Sequence, residues 1–276
     1  MSFKYSAENH SPEDYSYLKD KGVVREVPHQ KVLFDKGNYV VKTADTIDEL
    51  IATFKLRYTV YGKFYAEKPA RDLDVDEFDQ KADHIIVINK ELNKVVGTYR
   101  VLSSDYVDSF YTEREFDIDE FKKTAGKIVE MGRATVDTEA RSGVVITLLW
   151  RGVADYIKLI EADHLIGCAT FWSDDKKVPL DAWHYFNGID VLLKTKTTPC
   201  SENIIAGWEE LTQSTSRTPE EILEIKKSLP PLVKSYIKAG AIFGSEPARD
   251  NKLSSYDFLA TCKLTDLSKN LVKKYF

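Results

Sequence analysis

The chain has 276 residues, 43% of them hydrophobic and 12% aromatic, with 39 Lys and Arg against 44 Asp and Glu for a net charge of -5. A chain of this length buries roughly three quarters of its unfolded surface, so it folds without a disulfide framework or structural metal. Both signs of charge are interspersed with no basic stripe, which argues against a nucleic-acid binder.

Three cysteines, Cys168, Cys200 and Cys262, form an odd set without CxxC spacing and predict a reducing, cytoplasmic compartment. The segment Met1-Ser2-Phe3-Lys4-Tyr5 lacks an apolar signal core, and no run reaches the roughly 18 apolar residues of a membrane span. Membrane association is therefore expected to be at most peripheral, on the inner face of the cytoplasmic membrane.

Residues 1–38 are polar and tyrosine-rich, with Pro12 and Pro28 as punctuation, and read as an extension with one short helix ahead of a domain over residues 39–276. Tyr39-Val40-Val41-Lys42 is a predicted strand. Thr46-Ile47-Asp48-Glu49 then has capping-box spacing and opens a helix whose apolar positions Ile47, Leu50, Ile51, Phe54 and Tyr58 share one face, with Arg57 at its edge.

His84-Ile85-Ile86-Val87-Ile88, Lys94-Val95-Val96 and Lys127-Ile128-Val129 read as consecutive strands of one sheet. A helix is predicted over Val145 to Ile160 and a strand over Leu165 to Phe171. Thr218-Pro219-Glu220-Glu221 caps a later helix, Pro230-Pro231 divides it from its successor, and Gly240 ends that second member. Ala241-Ile242-Phe243 and Tyr256 to Ala260 supply two further strands before a terminal helix. The predicted class is α/β, with a mixed, mostly antiparallel central sheet flanked by helices.

Three polar signatures punctuate the central strands: Asp76-Glu77-Phe78-Asp79, Gly97-Thr98-Tyr99-Arg100 and Glu130-Met131-Gly132-Arg133. Glu130 and Arg133 read either as a working pair or as a structural ion pair. Positions three apart on a strand face opposite sides unless a bulge intervenes, and Gly132 is where one fits. In the acidic run, Asp72 and Asp74 read as solvated, while Asp76, Asp79 and Asp83 divide evenly between a site and a solvated loop. A calcium loop fails, because Glu77 stands where the turn glycine is needed and Asp83 where the closing glutamate is. His84, His164 and His184 have no ligand spacing, so no metal is expected. Cys168, among apolar neighbours, reads as a small core residue rather than a nucleophile.

Taken in order, Leu56-Arg57-Tyr58-Thr59-Val60-Tyr61, Phe78 to His84, Val96-Gly97-Thr98-Tyr99-Arg100-Val101-Leu102 and Glu130-Met131-Gly132-Arg133-Ala134-Thr135-Val136 resemble the GNAT-fold N-acyltransferases. The resemblance is to the ornithine-lipid acyltransferases and N-acyl amino acid synthases, which are related to acyl-homoserine-lactone synthases. It continues through Leu149-Trp150-Arg151-Gly152, Gly167 to Phe171, Leu229 to Lys234 and Gly244-Ser245-Glu246-Pro247-Ala248.

The resemblance implies transfer of a 3-hydroxyacyl group from the phosphopantetheine thioester of acyl carrier protein to the α-amine of an amino acid such as ornithine. An autoinducer-type synthase and a non-catalytic acyl-carrier or lipid-binding protein are the alternatives. Carried over by position, Glu130 and Arg133 are the expected catalytic residues, and Arg57, Asp76, Asp79, Asp83 and Arg100 the substrate-binding ones. The expected donor loop is Arg141-Ser142-Gly143-Val144-Val145. It has one glycine where the usual pyrophosphate loop has two, which suits a carrier protein more than CoA, although CoA stays open as co-substrate; no other cofactor is implied. Several relatives carry Cys at the position of Ala82, and its absence here makes a thiol mechanism at that position untenable.

An α-ammonium of pKa about 7.7 to 8.0 gives up its proton more readily than a side-chain ammonium near 10.4, so a weak base suffices, and Glu130 acting through a water is the candidate. Arg100 or Arg133 would orient the substrate carboxylate. Lys226, Lys227, Lys234 and Lys238 are either a solvated face or a dock for the acidic carrier protein.

Overall fold

The structure, a computed structural model, describes all residues except 1–4, 6–9, 25–26, 66–69, 141–142, 195–197 and 276. In chain order the elements are α1 (Pro12–Asp20), β1 (Leu33–Lys36), β2 (Tyr39–Thr43), α2 (Ile47–Tyr61), β3 (Asp83–Asn89), β4 (Lys94–Ser103), β5 (Phe116–Asp117), α3 (Asp119–Thr124) and β6 (Ile128–Val136). They continue with α4 (Val144–Leu159), β7 (His164–Trp172), α5 (Lys177–Gly188), β8 (Thr198–Pro199), α6 (Trp208–Ser214) and α7 (Pro219–Ser228). The last are α8 (Pro231–Ala239), β9 (Ile242–Phe243), β10 (Ala248–Asp250), β11 (Ser255–Lys263) and α9 (Lys269–Tyr275).

The chain divides into two compact units, the first made of Met1–Asp108, Met131–Ala162 and Tyr275–Phe276, the second of Ser109–Glu130 and Asp163–Lys274. Strand β6 gives its first three residues to the second unit and the rest to the first.

In the first unit the strand order is β1-β2-β3-β4-β6, with β1 to β4 successively antiparallel. Alternation sorts the side chains. Val40, Ile86, Ile88 and Val95 face one way and form a core with Leu50, Ile51 and Phe54 of α2. On the other face two glycines let α4 approach the strands: a Cβ at Gly97 would lie 2.5 Å from Val145 Cγ1, and one at Gly152 would lie 2.7 Å from Ile85 Cγ2.

Thr46 caps α2 as predicted, accepting from Glu49 N at 3.3 Å. The Glu49 carboxylate instead accepts from Asp45 N and from Lys42 Nζ, each at 2.9 Å, because a buried carboxylate gains more from a cation than from the cap's own N–H.

Several of the described residues before 39 pack on or pair with the first unit. Leu18 and Val23 are buried in the α2 core, Lys55 reaches Asp14 at 2.9 Å, and β1 pairs with β2 along its length. The expected boundary at residue 38 therefore falls inside the first unit.

In the second unit β6 pairs in parallel with β7 through Ile128–His164, Val129–Leu165 and Glu130–Ile166. Strand β11 runs antiparallel to β7 from Ser255–Trp172 to Lys263–His164, and carries β10 and β9. One face of this sheet offers Phe171, Tyr256 and Phe258 to Phe186 of α5, Trp208 of α6, Ile225 of α7 and Val233 of α8. The capping box on α7 is complete, and Gly240, at φ 102°, ends α8. Helices α5 and α6 were not foreseen; Pro179 sits in the first turn of α5, where its missing N–H costs nothing. The class is mixed α/β with mostly antiparallel pairing.

Because Val145 is stiff at its branched Cβ, Gly97→Ala is expected to cost about 1 to 3 kcal/mol of stability through overpacking, read from urea unfolding.

Candidate active site

In the first unit three arginines meet three aspartates. Arg57 of α2 donates from Nε to Asp74 at 3.0 Å and from Nη1 and Nη2 to Asp79 at 2.8 and 3.1 Å. Arg100 of β4 donates to Asp76 at 2.6 Å and to Asp79 at 3.4 Å. Arg133 of β6 reaches Asp76 at 3.1 Å and Asp74 at 3.4 Å. The side chains of Arg57 and Asp79 are 0% exposed, and that of Arg100 is 1% exposed.

Local structure explains the meeting. The buried stripe of α2 continues from Ile51 and Phe54 to Arg57, whose guanidinium lies 5.1 Å over the Phe54 ring, while Tyr58 is half-buried. Arg100 is opposite His84 in the β3–β4 register, on the face that α2 covers. Asp76 accepts from Phe78 N and Asp79 from Asp76 N, both at 2.9 Å, so the two carboxylates that hold the arginines also close the turn Glu77–Gln80.

Burial penalises the charges of Asp74, Asp76, Arg57 and Arg100, and the opposite charges outweigh it. Burial alone would raise Asp74, but Arg57 and Arg133 pull its carboxyl down to about 2. Asp76 is pulled far below the usual carboxylate range by Arg100, Arg133 and Arg57 against the same burial. Burial would lower Arg57, yet Asp74 and Asp79 hold it above its ordinary value. Asp74 is thus a correction: expected in solvent, it is 3% exposed and central to the network. The alternation Asp72, Leu73, Asp74, Val75, Asp76 hid it, because Leu73 is buried as well.

Arg133 has a left-handed φ of 51°, so the pleat of β6 breaks next to Gly132, where a bulge was expected. Tyr61 OH donates to the Ala134 carbonyl at 2.5 Å, and Thr135 Oγ1 to the Arg133 carbonyl at 3.0 Å.

The two ends of Glu130-Met131-Gly132-Arg133 serve different groups. In the second unit the Glu130 carboxylate accepts from Tyr111 N at 2.9 Å, Thr112 N at 2.7 Å and Thr112 Oγ1 at 2.5 Å, fixing the turn Tyr111–Arg114. Asp83, expected to bind substrate, instead anchors backbone. It accepts from His29 N at 3.0 Å, Gln30 N at 2.9 Å and Tyr156 OH at 2.9 Å, which occupies both oxygens.

Of the expected donor loop, Arg141 and Ser142 lie outside the described residues. Gly143, at φ 79°, is the N-cap of α4, whose first turn holds no acidic residue and no side-chain cap, so its N–H groups suit an anion. Val144 is exposed, but the side chain of Val145 is core, packed toward Gly97.

One grouping escaped the sequence. The Glu115 and Asp257 carboxylates and the Cys168 thiol have ligand atoms within 4.8 Å of one another in the second unit, a donor set that could hold a metal ion. Asp257 also accepts from Thr170 Oγ1 at 2.5 Å and Ser255 Oγ at 3.2 Å. Burial, then Glu115, Asp257 and Glu130, pushes the Cys168 thiol well up, so it stays protonated and is no nucleophile.

Residues 56–151 match a family model described as an acetyltransferase (GNAT) domain. An L-ornithine N(alpha)-acyltransferase of Agrobacterium fabrum is 28% identical over 262 residues, 87% of this chain and 85% of that enzyme. One of Rhodobacter capsulatus is 26% identical over 238 residues, 80% of this chain and 88% of that enzyme. The chain thus carries an acetyltransferase-type (GNAT) domain and is similar over most of its length to these acyltransferases. Among solved structures, an N-acyl amino acid synthase from uncultured soil microbes is similar at TM-score 0.47 and 12% identity, over 83% of this chain and 92% of that chain. No helix among the described residues is long and apolar enough to cross a membrane.

Two variants test the geometry. Arg57→Met leaves buried carboxylates uncompensated and is expected to cost about 3 to 5 kcal/mol at pH 7. The depressed Asp74 stabilises the wild type above the ordinary carboxylate value of 3.8 and loses that contribution as pH falls toward 2. In the variant its pKa rises, so the deficit seen in urea titrations should narrow as the pH falls through 3.8 toward about 2. Glu130→Gln turns one acceptor into a donor facing an N–H and should cost about 1 to 3 kcal/mol by the same measurement.

Proposed function

We propose that the acyltransferase makes an N-acyl amino acid, with ornithine as the amine and an acyl carrier protein thioester as the donor. The α-amine attacks the thioester carbonyl, the C–N bond forms, the C–S bond breaks, and the amine proton leaves as the thiol is released. The product is a lyso-aminolipid, the first stage of an ornithine-type lipid. The observation that carries this reading is the extent of the match: the relatives named as L-ornithine N(alpha)-acyltransferases align over 80 to 87% of this chain, well past the GNAT model's residues 56–151.

Little base strength is needed, since an α-ammonium of pKa about 7.7 to 8.0 is partly free at neutral pH. In this reading Glu130 fixes the Tyr111–Thr112 turn rather than accepting the amine proton. A per-folded-molecule activity of Glu130→Gln that does not recover at higher pH supports the anchor; recovery as the amine deprotonates supports the base.

For the carrier protein, the face of α7 and α8 bearing Lys226 and Lys238 is the proposed dock, both residues being exposed. Lys227 is held by Glu224 at 2.6 Å, and Lys234 donates to the Lys227 carbonyl at 2.5 Å, so these two ammoniums are engaged. Purified protein is offered matched 3-hydroxyacyl carrier-protein and CoA thioesters with ornithine, lysine, glutamine or glycine, and products are read by mass spectrometry. Ornithine with the carrier thioester is expected to dominate, with a rate that falls as salt rises, because docking between charged surfaces is screened. Lys226→Glu with Lys238→Glu should weaken that docking and leave CoA turnover in place. Equal use of both donors without a salt effect would remove the carrier protein from the proposal.

A further inference from the structure

We propose that Arg133 is a positioning residue: held by Asp76 and Asp74, its guanidinium fixes the left-handed backbone at its own Cα, and with it the path of β6, instead of binding the substrate carboxylate.

A non-glycine residue at φ 51° inside a strand is strained, and such strain persists where the surroundings over-determine it. Here they do. Arg133 is tied to Asp76 at 3.1 Å and to Asp74 at 3.4 Å. Neither aspartate is mobile, since Asp76 also caps Phe78 N and takes Arg100 at 2.6 Å, while Asp74 takes Arg57 at 3.0 Å. Two successive carbonyls at the break, those of Arg133 and Ala134, are bonded by the hydroxyls of Thr135 and Tyr61. Backbone and side chain at residue 133 are thus pinned by separate groups of the same unit.

The charges point the same way. Arg57, Arg100 and Arg133 are matched by Asp74, Asp76 and Asp79, so a substrate carboxylate on Arg133 would bring a fourth negative charge to a buried cluster that is already neutral. A carboxylate-binding arginine would carry positive charge still to be matched; this one does not.

The test separates backbone from charge, and its kinetic arm rests on the acyl-transfer reading above. Arg133→Gly/Asp76→Asn and Arg133→Ala/Asp76→Asn remove the same pair of charges and differ in whether residue 133 adopts φ above zero without strain. If Arg133 positions β6, the alanine variant loses at least tenfold more kcat than the glycine variant and melts lower, while KM for the amino acid differs less than about twofold between them. Equal kcat in the two, with KM for the amino acid raised tenfold or more in both, would show that Arg133 binds the carboxylate and overturn the proposal. Where the double variants do not fold, Arg133→Asn against Arg133→Val gives the same comparison, since asparagine tolerates the left-handed region and valine does not; equal melting of that pair overturns the proposal as well. Failure of the wild type to acylate any amino acid would sink the acyl-transfer reading, and the melting order would still decide the role of Arg133.

Discussion

Three guanidiniums and three carboxylates are largely withdrawn from water in the first unit, with side chains 0 to 12% exposed, and each is held by an opposite charge of the set. Removing two charges from solvent costs more than a simple pair returns unless the remaining donors and acceptors are also satisfied. Arg57 meets that demand with one aspartate on Nε and a second across both terminal nitrogens. The consequence spreads through the unit. The rotation of α2 is set by Arg57, the loop ahead of β3 by Asp74, Asp76 and Asp79, and β4 and β6 by the arginines they contribute. Apolar packing fills the space between these elements, but directional charge fixes their registers.

Much of this architecture was legible in the chain because it rests on local rules. The 3.6-residue spacing in α2 and α4, the capping box at Thr218 and Glu221, and the left-handed stop at Gly240 depend on neighbours a few residues away. What the sequence hid depends on distant partners. Asp74 looks like any loop aspartate until Arg57, seventeen positions earlier, is seen beside it. Glu49 has the spacing to close its cap, but a half-buried lysine from β2 competes for its carboxylate. The first strand, Leu33–Lys36, is short and mostly exposed, and exists because the edge of β2 is there to pair with it.

The candidate site was readable as a list of residues but not as an arrangement. Arg57, Asp76, Asp79, Arg100 and Arg133 do converge, whereas Asp83 and Glu130 each serve a backbone segment of their own. Sequence spacing suggested a pair between Glu130 and Arg133 because they are three apart. The structure gives those two residues different neighbours, as alternation along a strand does for positions three apart, and the left-handed turn at residue 133 leaves a weak trace in sequence, here the adjacent Gly132.

Asp83 carries a consequence for how this chain can be cut. Its carboxylate holds the backbone of His29 and Gln30 on one side and the Tyr156 hydroxyl of α4 on the other, while His29 stacks on Tyr106 with ring centroids 3.7 Å apart. A chain begun at Tyr39, the first strand visible by composition, would strip two N–H donors from a carboxylate buried at 2% exposure and bare the edge of β2. The described residues from His29 to Lys36 thus behave as a lining sewn into the garment rather than a fringe, and trimming them would fray the fabric next to the arginine-bearing strands.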